Sequence, residues 1–366
     1  MLNNKTIAVV VPVYNEESQI IEVLKSIPDF VDRIIVVNDG STDKTSIKIK
    51  NYIMNNHQKI KPIFRVNPKN ASVNSKYNYA DVIAMKMREK EEKYYVPLKS
   101  KFIRSESKVI LLEHEYNAGV GAAITTGYKW CRDHGIDCVA VMAGDGQMDP
   151  SELKSICEPI IKGEADYVKG NRFIHRAAPL IIPKIRYIGN SILSILTKIA
   201  SGYWHISDTQ CGYTAISHKA LEGLELYKIY KSYGMPNDLL VKLNIGSFTI
   251  KEVPIKPVYN IGEKSKMKIW KVVPKISLLL IKSFFKRLFV KYLLRNFHPL
   301  FICYLMFFLT LPIIIFLVGH LVIDFFVYDK VNKNYLIVGV FTILLNAQFL
   351  LFGMWFDMQD NERLQK

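Results

Sequence analysis

The sequence predicts an α/β protein: a mainly parallel, doubly wound sheet, then basic amphipathic helices, then two membrane-spanning helices. Three observations carry this. Short apolar runs alternate with helical patterns through the first two thirds of the chain, and each run closes in a polar loop. From position 261 lysines and arginines interleave with apolar residues at helical spacing, the pattern of helices lying in a membrane interface. Finally, 300–323 and 335–356 are nearly unbroken hydrocarbon, each longer than the roughly 20 residues a bilayer-spanning helix needs.

In chain order, the run 6–11 is apolar and β-branched and stops at Pro12; Val13-Tyr14-Asn15-Glu16-Glu17-Ser18 then leads into a helical pattern at 19–27. A second run, 33–37, closes in Asn38-Asp39-Gly40-Ser41-Thr42-Asp43. Gly40 permits a tight turn there, and Ser41, Thr42 or Asp43 can cap a helix from near Lys44. A third run, 108–113, opens into a loop with Asn117, Gly119, Gly121 and Gly127. A helix start of this kind can bind phosphate. The spacing is not the six-residue dinucleotide fingerprint, however, and close strand–helix packing is the preferred reading of these glycines. Between the second and third units, 67–107 reads as an insertion projecting from the core, with a helix at 79–93 whose mixed charges form a solvated face.

The central strand, 138–142, ends abruptly in Asp145, Gln147 and Asp149. In open α/β sheets ligands bind at the carboxyl ends of strands, because the loops there present polar groups while the sheet stays rigid. An Asp with an amide oxygen two residues on offers hard oxygen ligands to Mg²⁺ or Mn²⁺ holding a nucleotide diphosphate. The plainer account is an Asx turn at Asp145 and a helix cap at Asp149. Further on, 165–173 is another strand, emerging into a loop with Arg172, His175 and Arg176. A helix at 185–201 carries Arg186 near its start, a polar loop with Asp208 feeds a strand near Ile216, and 247–253 is the last strand of the sheet.

At 366 residues the chain holds one large domain with appendages or two domains. A net charge of +16 points to nucleic acid, an anionic membrane surface or phosphorylated substrates. Ten basic residues from Lys264 through Lys286, Arg287 and Lys291 to Arg295 sit beside the first apolar span, so the charge reads as a membrane-surface feature and not a nucleic-acid one. Five cysteines, an odd number with no C-x-x-C pair, favour a reduced, cytosol-facing domain over a disulfide framework or zinc site. The N-terminus lacks the features of a signal peptide. By the positive-inside tendency, the basic flank before Pro299 puts the catalytic domain and both termini in the cytoplasm, with a short external loop near 329–334. Asn346 and Gln348 are expected to face the first span, since unpaired amides are costly in hydrocarbon. The implied division is 1–260, 261–298, 299–358 and a tail at 359–366.

Taken in order, these residues resemble the family 2 glycosyltransferases of the GT-A fold, in particular the polyprenyl-phosphate group that includes dolichol-phosphate mannose synthase and the bacterial undecaprenyl-phosphate sugar transferases. The resemblance runs from Val9 to about Met267, apart from the insertion. Its motifs are Val11-Pro-Val-Tyr-Asn-Glu16, Val37-Asn-Asp-Gly-Ser-Thr-Asp43, Asn117-Ala-Gly119 with Gly121, Gly144-Asp-Gly-Gln147, Gly170-Asn-Arg172, Asp208 with Gly212, and Gly262-Glu-Lys-Ser-Lys266. The resemblance implies transfer of a sugar from a UDP- or GDP-linked donor to a dolichyl or undecaprenyl phosphate, dependent on Mg²⁺ or Mn²⁺ and inverting at the anomeric carbon. It implies that Pro12, Tyr14, Glu16 and Asp39, with Asn15 alongside, bind base and ribose. Asp145 and Gln147 would hold metal and diphosphate, Arg172 and Arg186 the lipid phosphate, and Lys264 or Lys266 would close over the diphosphate. Asp208 matches an acid near the sugar, and Asp145, Asp208 and Arg172 make up the catalytic set.

Ala143 departs from the pattern, since relatives carry Asp there. Coordination would then lean on Asp145, Gln147, phosphate and water; a degenerate membrane adaptor is the corresponding alternative. A processive polysaccharide synthase would bring a Gln-x-x-Arg-Trp element and more spans, and the sequence has neither. A transferase acting on glycolipid hydroxyls would need a clearer base. A polyprenyl monophosphate needs none, since its second ionisation lies near about pH 6. Two arginines that neutralise and aim it are the stronger requirement, with Asp208 positioning a substrate more than removing a proton.

Overall fold

The computed structural model describes residues 3–56, 78–102, 107–259, 269–329 and 331–366. Its centre is an eight-stranded sheet in the order β3-β4-β2-β1-β5-β7-β6-β8. The strands are β1 (Ile7–Val13), β2 (Arg33–Asn38), β3 (Leu98–Phe102), β4 (Val109–His114), β5 (Cys138–Val141), β6 (Tyr167–Asn171), β7 (Thr214–Ser217) and β8 (Ile250–Pro254). Successive strand residues face opposite sides, as the pleat requires. Val10, Val37 and Val139 join a core closed by α4 (Val120–Asp133), α8 (His218–Gly223) and α9 (Met235–Ile245). Val9, Val36 and Ala140 join the other, closed by α1 (Ile20–Ser26), α2 (Thr45–Asn55) and α5 (Leu153–Ile161). Burial on both faces explains why the strand sequences are continuous apolar runs and do not alternate with polar residues.

Parallel pairing holds for β1 with β2 and β5, for β2 with β4 and for β6 with β8. The strand near Ile216, β7, is antiparallel to both β5 and β6, so the sheet is mixed. The chain builds outward from β1 through β2 to β4, then returns to the opposite side of β1 with β5. That reversal opens a crevice at the carboxyl ends of β1 and β5, the place where such sheets take ligands. The segment expected to project between the second and third units does so only in part: α3 (Tyr79–Glu91) leads into β3, which pairs antiparallel with β4 and caps that edge of the sheet.

Beyond the sheet, α10 (Ile269–Phe289) runs through a π-helical turn, Val290–Arg295, into α11 (Pro299–Tyr328) and α12 (Lys333–Glu362). The last two are long and apolar enough to cross a membrane and mostly unburied in the protein. At 30 residues each they reach about 45 Å, more than the roughly 30 Å hydrocarbon layer. Asn346 does face α11, its Nδ2 donating to the Phe307 carbonyl at 2.8 Å and to Thr310 Oγ1 at 2.7 Å. Gln348 does not; it is exposed. Two residues advance a helix by about 200°, so the pair could not share one neighbour.

Two further expectations change. Arg287 and Lys291 are not surface charges of the basic segment but are buried against the end of α12, Arg287 on Asp357 and Lys291 on Asp360 and Asn361. The stretch 359–366 is no free tail: α12 continues to Glu362, Leu364 enters the core, and backbone bonds from Ile250 N to Leu364 O (2.8 Å) and from Lys366 N to Ile250 O (3.0 Å) lay it along β8.

Candidate active site

The crevice walls are laced by side chains capping backbone groups of neighbouring loops. Asn15, at φ +55°, donates its N–H to Ser41 Oγ (3.0 Å) and accepts Thr42 N–H on Oδ1 (2.9 Å). Glu16 N–H donates to Thr45 Oγ1 (3.0 Å), and Asp43 caps α2 by accepting Thr45 N–H (3.0 Å). Pro12 is buried at the end of β1, and Tyr14 and Glu16 line the loop that follows it. The loops after β1 and β2 therefore form one rigid wall.

Asp39 is buried in that wall. Its carboxylate accepts Ala118 N–H (3.0 Å), Gly119 N–H (2.8 Å) and His114 Nδ1–H (2.8 Å), and His114 Nε2 lies 2.9 Å from Thr126 Oγ1. Asp39 thus fixes the glycine loop against β2, and His114, which no sequence motif marks, fixes Asp39. The glycines are places of close contact: a Cβ at Gly121 would meet the Tyr230 carbonyl at 2.3 Å, and one at Gly127 would meet Val10 Cγ1 at 2.4 Å.

The opposite wall comes from β5, β6 and β8. Asp145 Oδ1 accepts Gln147 N–H (3.1 Å), and Asp149 Oδ1 accepts Ser151 N–H (2.9 Å). Both plainer roles foreseen for these acids are therefore present, and neither uses up a carboxylate that can accept about four hydrogen bonds. Asp145, Gln147, Arg172, Gln210, Lys256 and Tyr259 line one cavity. Gln147 Nε2 is buried there with no partner among the described residues. A buried amide terminus without a partner is costly, and half a turn of the amide would put its oxygen at that position. One carboxylate and one amide oxygen fit a hard divalent ion that takes its other ligands from diphosphate and water. No cluster of three His, Cys, Asp or Glu that could hold a metal ion occurs among the described residues.

Arg172 and Asp208 meet as a two-pronged ion pair, Nε to Oδ2 at 2.7 Å and Nη2 to Oδ1 at 3.0 Å, with Asp208 fully buried. Burial alone would raise the Asp208 carboxyl, but the bonds and charge of Arg172, with the charge of Lys169, outweigh it and hold the group below the usual carboxylate range. An acid so held is a weak base. Arg172 Nη1 donates to Tyr259 Oη (3.1 Å), and the Arg186 guanidinium lies 6.0 Å from the centre of the same ring. Tyr259 therefore joins the two arginines, a contact hidden from the sequence because 87 residues separate Tyr259 from Arg172. Lys264 and Lys266 lie outside the described residues.

Arg186 stands at the start of α7 (Lys184–Ser201). Together with the short α6 (Ala178–Ile181), this helix exposes Leu180, Ile185, Ile188, Ile192 and Ile195, with Leu180 at 89% and Ile185 at 76%. Within α7, Ile185, Ile188, Ile192 and Ile195 recur every three or four positions, a stripe of the sort that covers a core. Here it points outward. Helix α10 packs against α7 and exposes Val273, Leu278, Ile281 and Phe285.

Residues 8–80 and 94–224 match the family model described as Glycosyl transferase family 2. The chain belongs to glycosyltransferase family 2. The mixed, mostly parallel sheet is the Rossmann-like GT-A domain of that family. Among relatives of this glycosyltransferase, the UDP-N-acetylglucosamine–dolichyl-phosphate N-acetylglucosaminyltransferase of Methanococcus voltae is 29% identical over 70% of this chain and 87% of its own length. A dolichyl-phosphate beta-glucosyltransferase of Trichomonas vaginalis is 24% identical over 76% of this chain and 74% of its own. Among solved structures, glucosyl-3-phosphoglycerate synthase of Mycobacterium tuberculosis, in complex with Mn²⁺, UDP and phosphoglyceric acid, aligns with TM-score 0.45 and 18% identity over 78% of each chain.

Proposed function

We propose that this glycosyltransferase is an integral membrane enzyme that moves a sugar from a nucleotide-sugar to a polyprenyl monophosphate at the cytoplasmic surface. The observation that carries the reading is the pair Arg172 and Arg186, joined through Tyr259. One of them lines the cavity of Asp145 and Gln147, and the other begins the helix with the exposed apolar stripe. An anion site between a diphosphate site and a lipid-facing surface suits an acceptor whose phosphate must reach the donor while its chain stays in the bilayer. The Methanococcus relative makes UDP-N-acetylglucosamine the first donor to try.

The chemistry asks little more of the protein. Asp145 and Gln147 would hold Mg²⁺ or Mn²⁺, which supplies positive charge to the leaving diphosphate. Among the described residues, three of the five N–H donors of Arg172 are committed to Asp208 and Tyr259, leaving two for an acceptor phosphate. Asp208, depressed and paired, aims Arg172 and removes no proton. The acceptor oxygen is its own nucleophile.

The stripe on α7 and the outer face of α10 would rest at the headgroup level beside spans α11 and α12, keeping Arg186 at the bilayer surface. In the sequence pattern that role falls to 261–298 alone; α7 would extend it.

The test incubates membranes containing the protein with labelled nucleotide sugars, polyprenyl phosphate and Mg²⁺ or Mn²⁺, and follows label into organic extract. Acid-labile label that depends on added polyprenyl phosphate supports the reading. Acid-stable label points to a hydroxyl acceptor and overturns it.

A further inference from the structure

Beneath Arg172 and Asp208 lies a second pair of charges that the reaction as read above does not use. Lys169, in β6, is fully buried, and its ammonium donates to the Cys211 carbonyl. Glu252, in β8, accepts the backbone N–H of Ser207 (2.8 Å) and of Asp208 (3.1 Å) on Oε1 and Asn171 Nδ2 (2.7 Å) on Oε2. One carboxylate thus joins β8, the end of β6 from which Arg172 emerges, and the loop that carries Asp208. Lys169 grips the far end of the same loop. Lys169 and Arg172 balance Asp208 and Glu252, so the cluster is neutral. Burial disfavours the charged form of both added members, pushing Lys169 down and Glu252 up from their usual values; the two occupy paired positions on β6 and β8, where each charge favours the other.

We propose that Glu252 is a positioning residue for the acceptor side of the site: it holds the 207–211 loop in register with Arg172 and, opposite Lys169, keeps the cluster neutral so that Arg172 can take an anion. This rests on the reading of Arg172 as the acceptor-phosphate group. Glu252 touches no reacting atom. Its removal takes one acidic charge from the surroundings of the buried Lys169 and frees two backbone N–H groups of the loop. A displacement of about 1 Å in a positioning element can cost about 100-fold in rate.

The experiment uses the full chain in vesicles, as wild type, Glu252→Gln, Lys169→Met, the double variant, and Glu252→Ala. Glu252→Gln is expected to lower kcat/KM for polyprenyl phosphate by about 100-fold, with UDP affinity by calorimetry unchanged. The double variant, neutral again, should recover at least about tenfold of that loss. If UDP affinity falls in step with activity, or if the double variant is worse than either single one, Glu252 is merely structural and the proposal fails. Hydrogen exchange provides a readout independent of turnover: Glu252→Ala should speed exchange in peptides covering 205–212 and leave those covering 38–43 as they were. Unchanged exchange at 205–212 overturns the proposal. Should the wild type itself transfer nothing to polyprenyl phosphate, the functional reading falls, and the exchange result still decides whether Glu252 holds the loop.

Discussion

Replacing Arg287 by Met tests how the two long apolar helices are joined to the catalytic domain. The guanidinium is fully buried and makes four close bonds: to Asp357 Oδ1 (2.6 Å) and Oδ2 (2.8 Å), to the Ala200 carbonyl (2.9 Å) and to the Ile199 carbonyl (3.0 Å). It therefore ties α10 to the end of α12 and to the last turn of α7. Methionine keeps much of the apolar stem but leaves Asp357 buried without its counter-charge, a change that costs about 3–5 kcal/mol. With an unfolding entropy of about 2 cal/mol/K per residue, that lowers the Tm of a 366-residue chain by about 5 °C. The assay is thermal denaturation of the full-length protein in detergent, for wild type, Arg287→Met, Asp357→Leu and the double variant. Removing both charges should be near neutral, because a well-packed apolar pair can replace a buried ion pair without loss. If Arg287→Met melts like wild type, the pair holds nothing. If the double variant is no better than the single ones, lost packing and not unpaired charge governs the effect.

Other outcomes follow from the site. Asp145→Asn should lower kcat/KM by about 100-fold or more, the scale for removing a group that stabilises charge in transfer, and should abolish any metal dependence of nucleotide binding by calorimetry; unchanged metal dependence would remove Asp145 from the site. Tyr259→Phe deletes the hydroxyl that Arg172 Nη1 meets at 3.1 Å and should cost about 1 kcal/mol, about fivefold, in kcat/KM for the acceptor, with the donor KM unchanged. Gly40→Ala strains a backbone at φ +68° and drives a Cβ to 2.7 Å from Asn117 N, so nucleotide affinity should fall while the Arg172 side of the cavity keeps its structure by hydrogen exchange. The depressed Asp208 carboxyl stabilises the fold fully above its unfolded value of about 3.9 and loses that contribution only as pH falls through the lower folded value. The loss of Tm between about pH 5 and pH 2 should accordingly be shallower in Asp208→Asn than in wild type.

The sheet was legible because its strands are buried on both faces and end in loops of distinctive composition, so apolar runs alone mark β1, β2, β4 and β5 nearly to the residue. Direction was not legible. A four-residue strand such as β7 reads the same whichever way it runs, and only its pairing with β5 and β6 makes it antiparallel. Spacing within one loop singles out Asp145 and Gln147, and both line one cavity. Tyr259, Glu252, His114 and Gln210 were not found. Each meets a partner distant in sequence or lies within a strand where it reads as ordinary, as Tyr259 meets Arg172 across 87 residues and Glu252 meets Asp208 across 44.

What the sequence determined by itself is whatever local chemistry dictates: the alternation of strand and helix, the two long apolar helices, and the acid and amide at the tip of the central strand. Tertiary structure decided where amphipathic faces and charges go. The isoleucines of α7 have the spacing of a core-facing stripe and are exposed, while Arg287 and Lys291 have the spacing of surface charges and are buried. Periodicity fixes which residues share a face of a helix; what that face meets depends on neighbours brought there by the rest of the chain.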